Sequence, residues 1–218
     1  HHLLRRQRQM CIRDSPIEDY PNGSFGFYMD SDVHTFGEDI VTALKGEAII
    51  NEIPRLQAII DTTSGNRFTT DPAMNDLLIA NTHQYAPSKY HLRRDGKKCR
   101  QQSSGIVFST WLGQGAWLNH ILEEETLEKL RNKVDYAEID SHYFVVSREI
   151  SHAQRDENPW SWFDWTNQDT VLTSDMHRGY VVPDGWDEVH FNRGASITVN
   201  LEAPKLCLLT FRKPITEK

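Results

Sequence analysis

The chain has 218 residues, with 24 Lys and Arg against 31 Asp and Glu, a net charge of −7. This length fits one domain, or one domain with a helical elaboration. The acidic balance argues against general binding to nucleic acid or anionic membrane, and no run approaches the roughly 18 apolar residues of a membrane span.

Residues 5–15 have no apolar core, so they do not form a secretory signal. They resemble translated sequencing-adapter sequence of the kind carried by assembled environmental reads, and residues 1–15 are expected to be non-native or disordered. Those residues hold four Arg against one Asp, so the rest of the chain carries −10 against −7 overall. Beyond them only Cys99 and Cys207 remain, without CxxC spacing. This composition predicts a reducing, cytoplasmic setting rather than a disulfide framework.

Taken in order, Ser24–Met29 reads as an edge strand. Glu38–Leu44 reads as a helix with Ile40, Val41 and Leu44 on one face, ended by Gly46. Ala48–Ile60 continues the helical spacing through Ile49, Ile50, Ile53, Leu56, Ile59 and Ile60, with a kink at Pro54. Asp71-Pro72 looks like a helix start, with Asp as cap and Pro in the first turn, and predicts a helix to about Thr82.

The stretch from His91 to Arg100 is a hairpin signal, because Asp95-Gly96 between β-compatible arms favours a tight primed turn. Its arms hold Arg93, Arg94, Lys97, Lys98 and Arg100, a basic cluster that is either a solvated face or an anion site for phosphate, carboxylate or nucleic-acid backbone. Gly105–Leu112 reads as a strand and Glu123–Lys133 as an amphipathic helix with Leu127 and Leu130 inward. Tyr143–Val146 is another strand. The aromatic run Asn158–Trp165 is a plug at the end of a core or a stacking surface.

The C-terminal stretch reads most clearly. Thr170–Thr173, Gly179–Val182, Trp186–Phe191, Ser196–Leu201 and Leu206–Phe211 are five short strands separated by turn residues, among them Pro183-Asp184-Gly185 and Asn192-Arg193-Gly194. Ile197, Val199 and Leu201 alternate with Ser196, Thr198 and Asn200, the period of a half-buried strand. Leu206–Phe211 is nearly all apolar and reads as a central strand covered on both faces. Residues 16–218 are thus expected to form one α+β domain, with N-terminal helices and a β-rich C-terminal half.

Phosphate-loop, dinucleotide-fingerprint, GxSxG and HExxH patterns do not occur. Pro183, Gly185, Trp186, Ser196, Ile197, Val199 and Asn200 fall in the order of the late motif of JmjC and cupin-like 2-oxoglutarate oxygenases, which residues 183–200 resemble. The sequence departs from that motif at Glu188, where the family has an iron-binding His, and it has no His-x-Asp or His-x-Glu upstream.

The resemblance implies a cupin-like, double-stranded β-helix (jelly-roll) core and an Fe(II)- and 2-oxoglutarate-dependent hydroxylase. Glu188, His190 and His91 would hold the iron, with Arg93 or Lys97 on the far carboxylate of 2-oxoglutarate. Trp186 and Asn200 would stand at the catalytic centre. The competing reading is a non-catalytic jelly-roll binding or structural protein, phage-related or carbohydrate-binding through its tryptophans. Under either reading the substrate is unassigned, nucleic acid is expected at most on the basic hairpin, no membrane partner is expected, and a homo-oligomer is allowed.

Overall fold

Leu77-Leu78-Ile79-Ala80, Ile106-Val107-Phe108 and Tyr143-Phe144-Val145-Val146 are apolar runs without alternation. As strands they need cover on both faces. Ser88–Arg94 alternates, and as a strand needs cover on one. The computed structural model, which describes residues 17–18, 30–115, 117–132, 134 and 136–212, meets both demands in a β-sandwich that forms its larger unit.

In chain order the elements are β1 (Ile17–Glu18), β2 (Ser31–Asp32), α1 (Phe36–Lys45), β3 (Ile49–Ile53), β4 (Gln57–Asp61), β5 (Arg67–Thr69), β6 (Asp76–Asn81), β7 (Ser88–Arg94), β8 (Lys97–Ser103) and β9 (Ile106–Ser109). A 3-10 turn (Leu112–Gly115), α2 (Leu118–Ile121), α3 (Glu124–Arg131) and a second 3-10 turn (Tyr136–Glu138) follow. Then come β10 (Tyr143–Ser147), α4 (His152–Glu157), α5 (Pro159–Trp162), β11 (Phe163–Thr166), β12 (Thr170–Ser174), β13 (Arg178–Pro183), β14 (Val189–Asn192), β15 (Ser196–Asn200) and β16 (Leu206–Thr210).

The chain divides into two compact units, Arg55–Ala203 and the pair of segments His1–Pro54 and Pro204–Lys218. In the larger unit, one sheet has the order β11-β10-β9-β6-β13-β14 and the other β5-β4-β15-β12-β7-β8. All their pairings are antiparallel. The inner faces meet in a core that includes Ile60, Leu77, Ile79, Tyr90, Leu92, Phe108, Tyr143, Leu172 and Ile197. The other face of the first sheet, through Leu78, Val107, Phe144 and Val146, packs on Leu118 of α2 and on Leu127 and Leu130 of α3. Burial of β6, β9 and β10 on both sides explains why their sequences do not alternate. The second sheet has one open face, and β7 alternates buried and exposed along its whole length.

Asp95 and Gly96 both take positive φ (50° and 70°), the primed turn expected between β7 and β8. In the smaller unit β16 pairs with β3, and α1 ends at Gly46 in the left-handed conformation.

Several expectations are corrected. Twelve strands in two six-stranded antiparallel sheets replace the expected cupin-like, double-stranded β-helix (jelly-roll) core. The helix expected over Ala48–Ile60 is β3 and β4, and the one expected over Asp71–Thr82 is a loop and β6, so α1 is the only one of the three N-terminal helices to form. Leu206–Phe211 is a strand, but among the described residues β16 pairs with β3 alone, and its residues alternate between buried and half-buried. The strand expected at Ser24–Met29 and residues 1–15 lie outside the described residues.

Candidate functional site

Asp184 follows β13 in the turn that reverses the chain toward β14, at φ 47°. A short Asp side chain tolerates this left-handed conformation because it bonds locally to backbone. Here the carboxylate reaches across to the strand beside it. Its Oδ2 accepts from Met74 N at 2.7 Å, and its Oδ1 accepts from Asn75 N at 2.8 Å and Asp76 N at 3.1 Å. Asp184 N donates to Asp76 O at 2.8 Å in return. Three backbone donors on one carboxylate fix the entry to β6.

The same entry is held from the other side by the end of β9. Thr110 Oγ1 donates to Met74 O at 2.6 Å, and Ser109 Oγ and Thr110 N donate to Asn75 O at 3.1 and 3.0 Å. Gly113, in the first 3-10 turn, lies so close that an added Cβ would stand 2.0 Å from Asn75 O, so only glycine fits there.

Against this fixed backbone opens a cleft of about 420 Å³ lined by Asn75, Asp76, Trp117, Asp184 and Gly185. Asp76 is only 8% exposed, and burial first, then the neighbouring Asp184 charge, pushes its carboxyl up to about 6. Among the described residues no hydrogen bond reaches the Asp76 carboxyl or the Asn75 side-chain amide. A buried acid without a donor, beside a second carboxylate and at the wall of a cleft, is the pattern of a functional group whose partner is a ligand. It offers acceptor oxygens to hydroxyl donors, while the two carboxylates repel phosphate.

The residues singled out from sequence fall elsewhere. Glu188 Oε2 and His190 Nε2 do lie 3.2 Å apart, both residues exposed, with Glu188 just before β14 and His190 within it at the edge of the first sheet. His91 is on β7 in the second sheet, its Nε2 3.4 Å from Asp175. Among the described residues no three His, Cys, Asp or Glu side chains group to hold a metal ion. Arg93 lines one cavity and Lys97 another, so the hairpin does not bring them onto one anion.

Asn200 is buried at the end of β15, where its Oδ1 accepts from Glu202 N at 3.2 Å and Gln57 Nε2 at 3.4 Å. Trp186 is 62% exposed. In the aromatic run, Trp160 packs on the sandwich core and Trp165 on Phe144, with ring centroids 4.4 Å apart. Sequence reasoning missed Asn75 and Asp76 by assigning them to a helix, and saw in Asp184 only a turn residue.

No known family profile matches the chain, and no curated protein sequence does. Solved structures do resemble it. Yeast NADH kinase, solved with NADH, superposes with a TM-score of 0.69 at 15% identity, over 88% of this chain and 53% of its own. An NAD kinase from Archaeoglobus fulgidus, solved with ATP, gives 0.61 at 14% identity, over 86% of this chain and 66% of its own. The chain therefore spans between half and two thirds of the length of these two proteins. These likenesses overturn the cupin-like fold, and with it the reading as an oxygenase using iron(II) and 2-oxoglutarate. The fold is the predominantly antiparallel β architecture found in NAD kinases.

Proposed function

We propose that this chain is the β-sandwich part of an NAD(H)-kinase-like protein, and that the cleft beside Asn75 and Asp76 takes a ribose of a nicotinamide adenine dinucleotide. The observation that carries the reading is the Asp76 carboxyl, buried, without a hydrogen-bond donor among the described residues and raised to about 6. A ribose diol presents hydroxyl donors that such a carboxyl accepts in short, charge-assisted bonds. The Asn75 amide adds a donor and an acceptor beside it, and Trp117 supplies an apolar wall. The charge of Asp76 and Asp184 turns the pyrophosphate away from this wall, so the sugar is the part of the dinucleotide that meets it. The likeness to kinases solved with NADH and with ATP supports phosphoryl transfer to a sugar hydroxyl as the reaction class. In that reaction the Asp76 carboxylate, ionised above pH 6, orients the hydroxyl and draws on its proton.

Calorimetric titration of the chain with NADH, NAD and inorganic pyrophosphate tests this. Both dinucleotides should bind and pyrophosphate should not. Asp76→Asn should weaken the dinucleotides by about 10- to 100-fold, the worth of a hydrogen bond to a charged group. Unchanged affinity in Asp76→Asn would refute the placement, and no binding of either dinucleotide by the wild type would refute the function.

A further inference from the structure

We propose a second ligand site in the larger unit, a pocket for a small oxyanion, carboxylate or phosphate, carried by a small molecule and bound at Arg94. A cavity of about 280 Å³ is lined by Arg94, Lys97, His142, Trp160 and Trp165, among others. It shares no lining residue with the Asp76 cleft. Along the first sheet Asp76, Ser109, Phe144 and Trp165 are successive cross-strand partners. Three strand spacings, about 14 Å, therefore separate the two places, and the proposal does not depend on the dinucleotide reading.

Arg94 ends β7, and its side chain is 3% exposed. It spans the two sheets of the sandwich: Nη2 donates to Asp164 Oδ2 at 2.8 Å and to Trp160 O at 2.7 Å, with the guanidinium 5.6 Å from the Trp160 ring. The other terminal nitrogen, Nη1, is buried and has no acceptor among the described residues. Trp165 also lines this cavity, with its ring packed on Phe144, and its indole Nε1 is a second buried donor without an acceptor among the described residues. Arginine cannot give up its proton, and indole has no other hydrogen-bonding group. Both groups therefore ask for an acceptor that the described residues do not supply.

Asp164 gives Nη1 no bond: its Oδ2 accepts from Arg94 Nη2 at 2.8 Å, and its Oδ1 accepts from Trp165 N at 3.0 Å. The unmet demand on this wall is for acceptors, and it sits beside the Lys97 ammonium, which forms no ion pair among the described residues. Asp95, in the hairpin turn, is a second carboxylate on the wall, and Arg94 does not engage it. The Trp165 ring is fixed by stacking on His142, with centroids 5.6 Å apart at 19°, so its N–H is held in place before the ligand arrives.

The test is an NMR titration following the indole N–H of Trp165, assigned with Trp165→Phe. Inorganic phosphate, acetate and chloride are added separately to the full chain at constant ionic strength. A saturating shift with phosphate alone, acetate alone or both supports the site and identifies the anion class. Lys97→Gln, at an exposed position that leaves the fold intact, should weaken that binding severalfold. Arg94→Lys, which keeps the charge and loses the fork, should abolish it. Shifts that fail to saturate, that chloride reproduces, or that persist unchanged in folded Lys97→Gln and Arg94→Lys proteins would overturn the proposal.

Discussion

Asp76→Asn should stabilise the protein at neutral and alkaline pH while weakening its binding of dinucleotide. The native Asp76 carboxyl holds its proton up to about 6, against 3.8 for the same group in water. The native state therefore binds the proton more tightly than the unfolded state does. The contribution of this group to stability is complete below pH 3.8 and is lost as pH rises through about 6. The gap, at about 1.4 kcal/mol per pH unit, is worth about 3 kcal/mol above pH 6. Asparagine has nearly the same shape and no charge to desolvate. At pH 8 the variant should be more stable by about 3 kcal/mol, which corresponds to roughly 6–12 °C in Tm for a unit of this size. At pH 4 wild type and variant should converge. All six tryptophans lie between residues 111 and 186, inside the larger unit, so urea unfolding followed by tryptophan fluorescence reads the relevant transition. A gain of the same size at pH 4 and pH 8 would show that packing, not ionisation, is responsible. A loss at pH 8 would show that the carboxylate is well solvated, and would remove the physical basis of the site.

Asp184→Asn should lower the Asp76 pKa, because the Asp184 charge is the second cause holding it up; a carbon-detected NMR titration of Asp76 reads this directly. Asp184→Ala leaves the N–H groups of Met74, Asn75 and Asp76 without their acceptor and should cost about 3 kcal/mol in urea unfolding. Gly113→Ala places a methyl 2.0 Å from the Asn75 carbonyl; thermal unfolding should show a loss of several degrees, and dinucleotide binding should fall with it. Leu208→Asp buries a charge at a position that is 1% exposed, at a cost of several kcal/mol, and backbone NMR should show β3 and β16 no longer paired.

The C-terminal strands were legible because their boundaries are written in local chemistry. Pro183-Asp184-Gly185 and Asn192-Arg193-Gly194 reverse the chain whatever surrounds them, and Ser196–Asn200 alternates because one face of its sheet is open. The Asp95-Gly96 hairpin was legible for the same reason.

The N-terminal half misled because its apolar residues satisfy two periods at once. Ile49, Ile53, Leu56 and Ile60 fit one helical face, yet in β4 Ala58 and Ile60 point to the core and Ile59 away from it. The isoleucines, β-branched, and Pro54 between β3 and β4 were the better guide. Leu77–Ala80 has no period to read, since both its faces are covered, and Asp71-Pro72 before it imitated a helix start. The cleft at Asp76 was hidden for a different reason. It exists only because β13 lies beside β6, more than a hundred residues away in sequence, and brings Asp184 to the backbone of Met74–Asp76.

The position of β15 has a consequence for the living synthesis of this chain. In the second sheet β15 lies between β4 and β12, with Asn200 opposite Gln57 and Ile197 opposite Ile60. Until β15 leaves the ribosome, β4 and β5 have no partner joining them to β12, β7 and β8, and the sheet exists as two fragments. At roughly 5–20 residues per second, the apolar side of β4 waits on the order of 10–30 s for its neighbour. Within that interval Ala58 and Ile60 belong to an unpaired strand edge, the form of nascent chain most open to misassociation. Slowing translation between residues 61 and 200 should therefore increase aggregation of newly made chains.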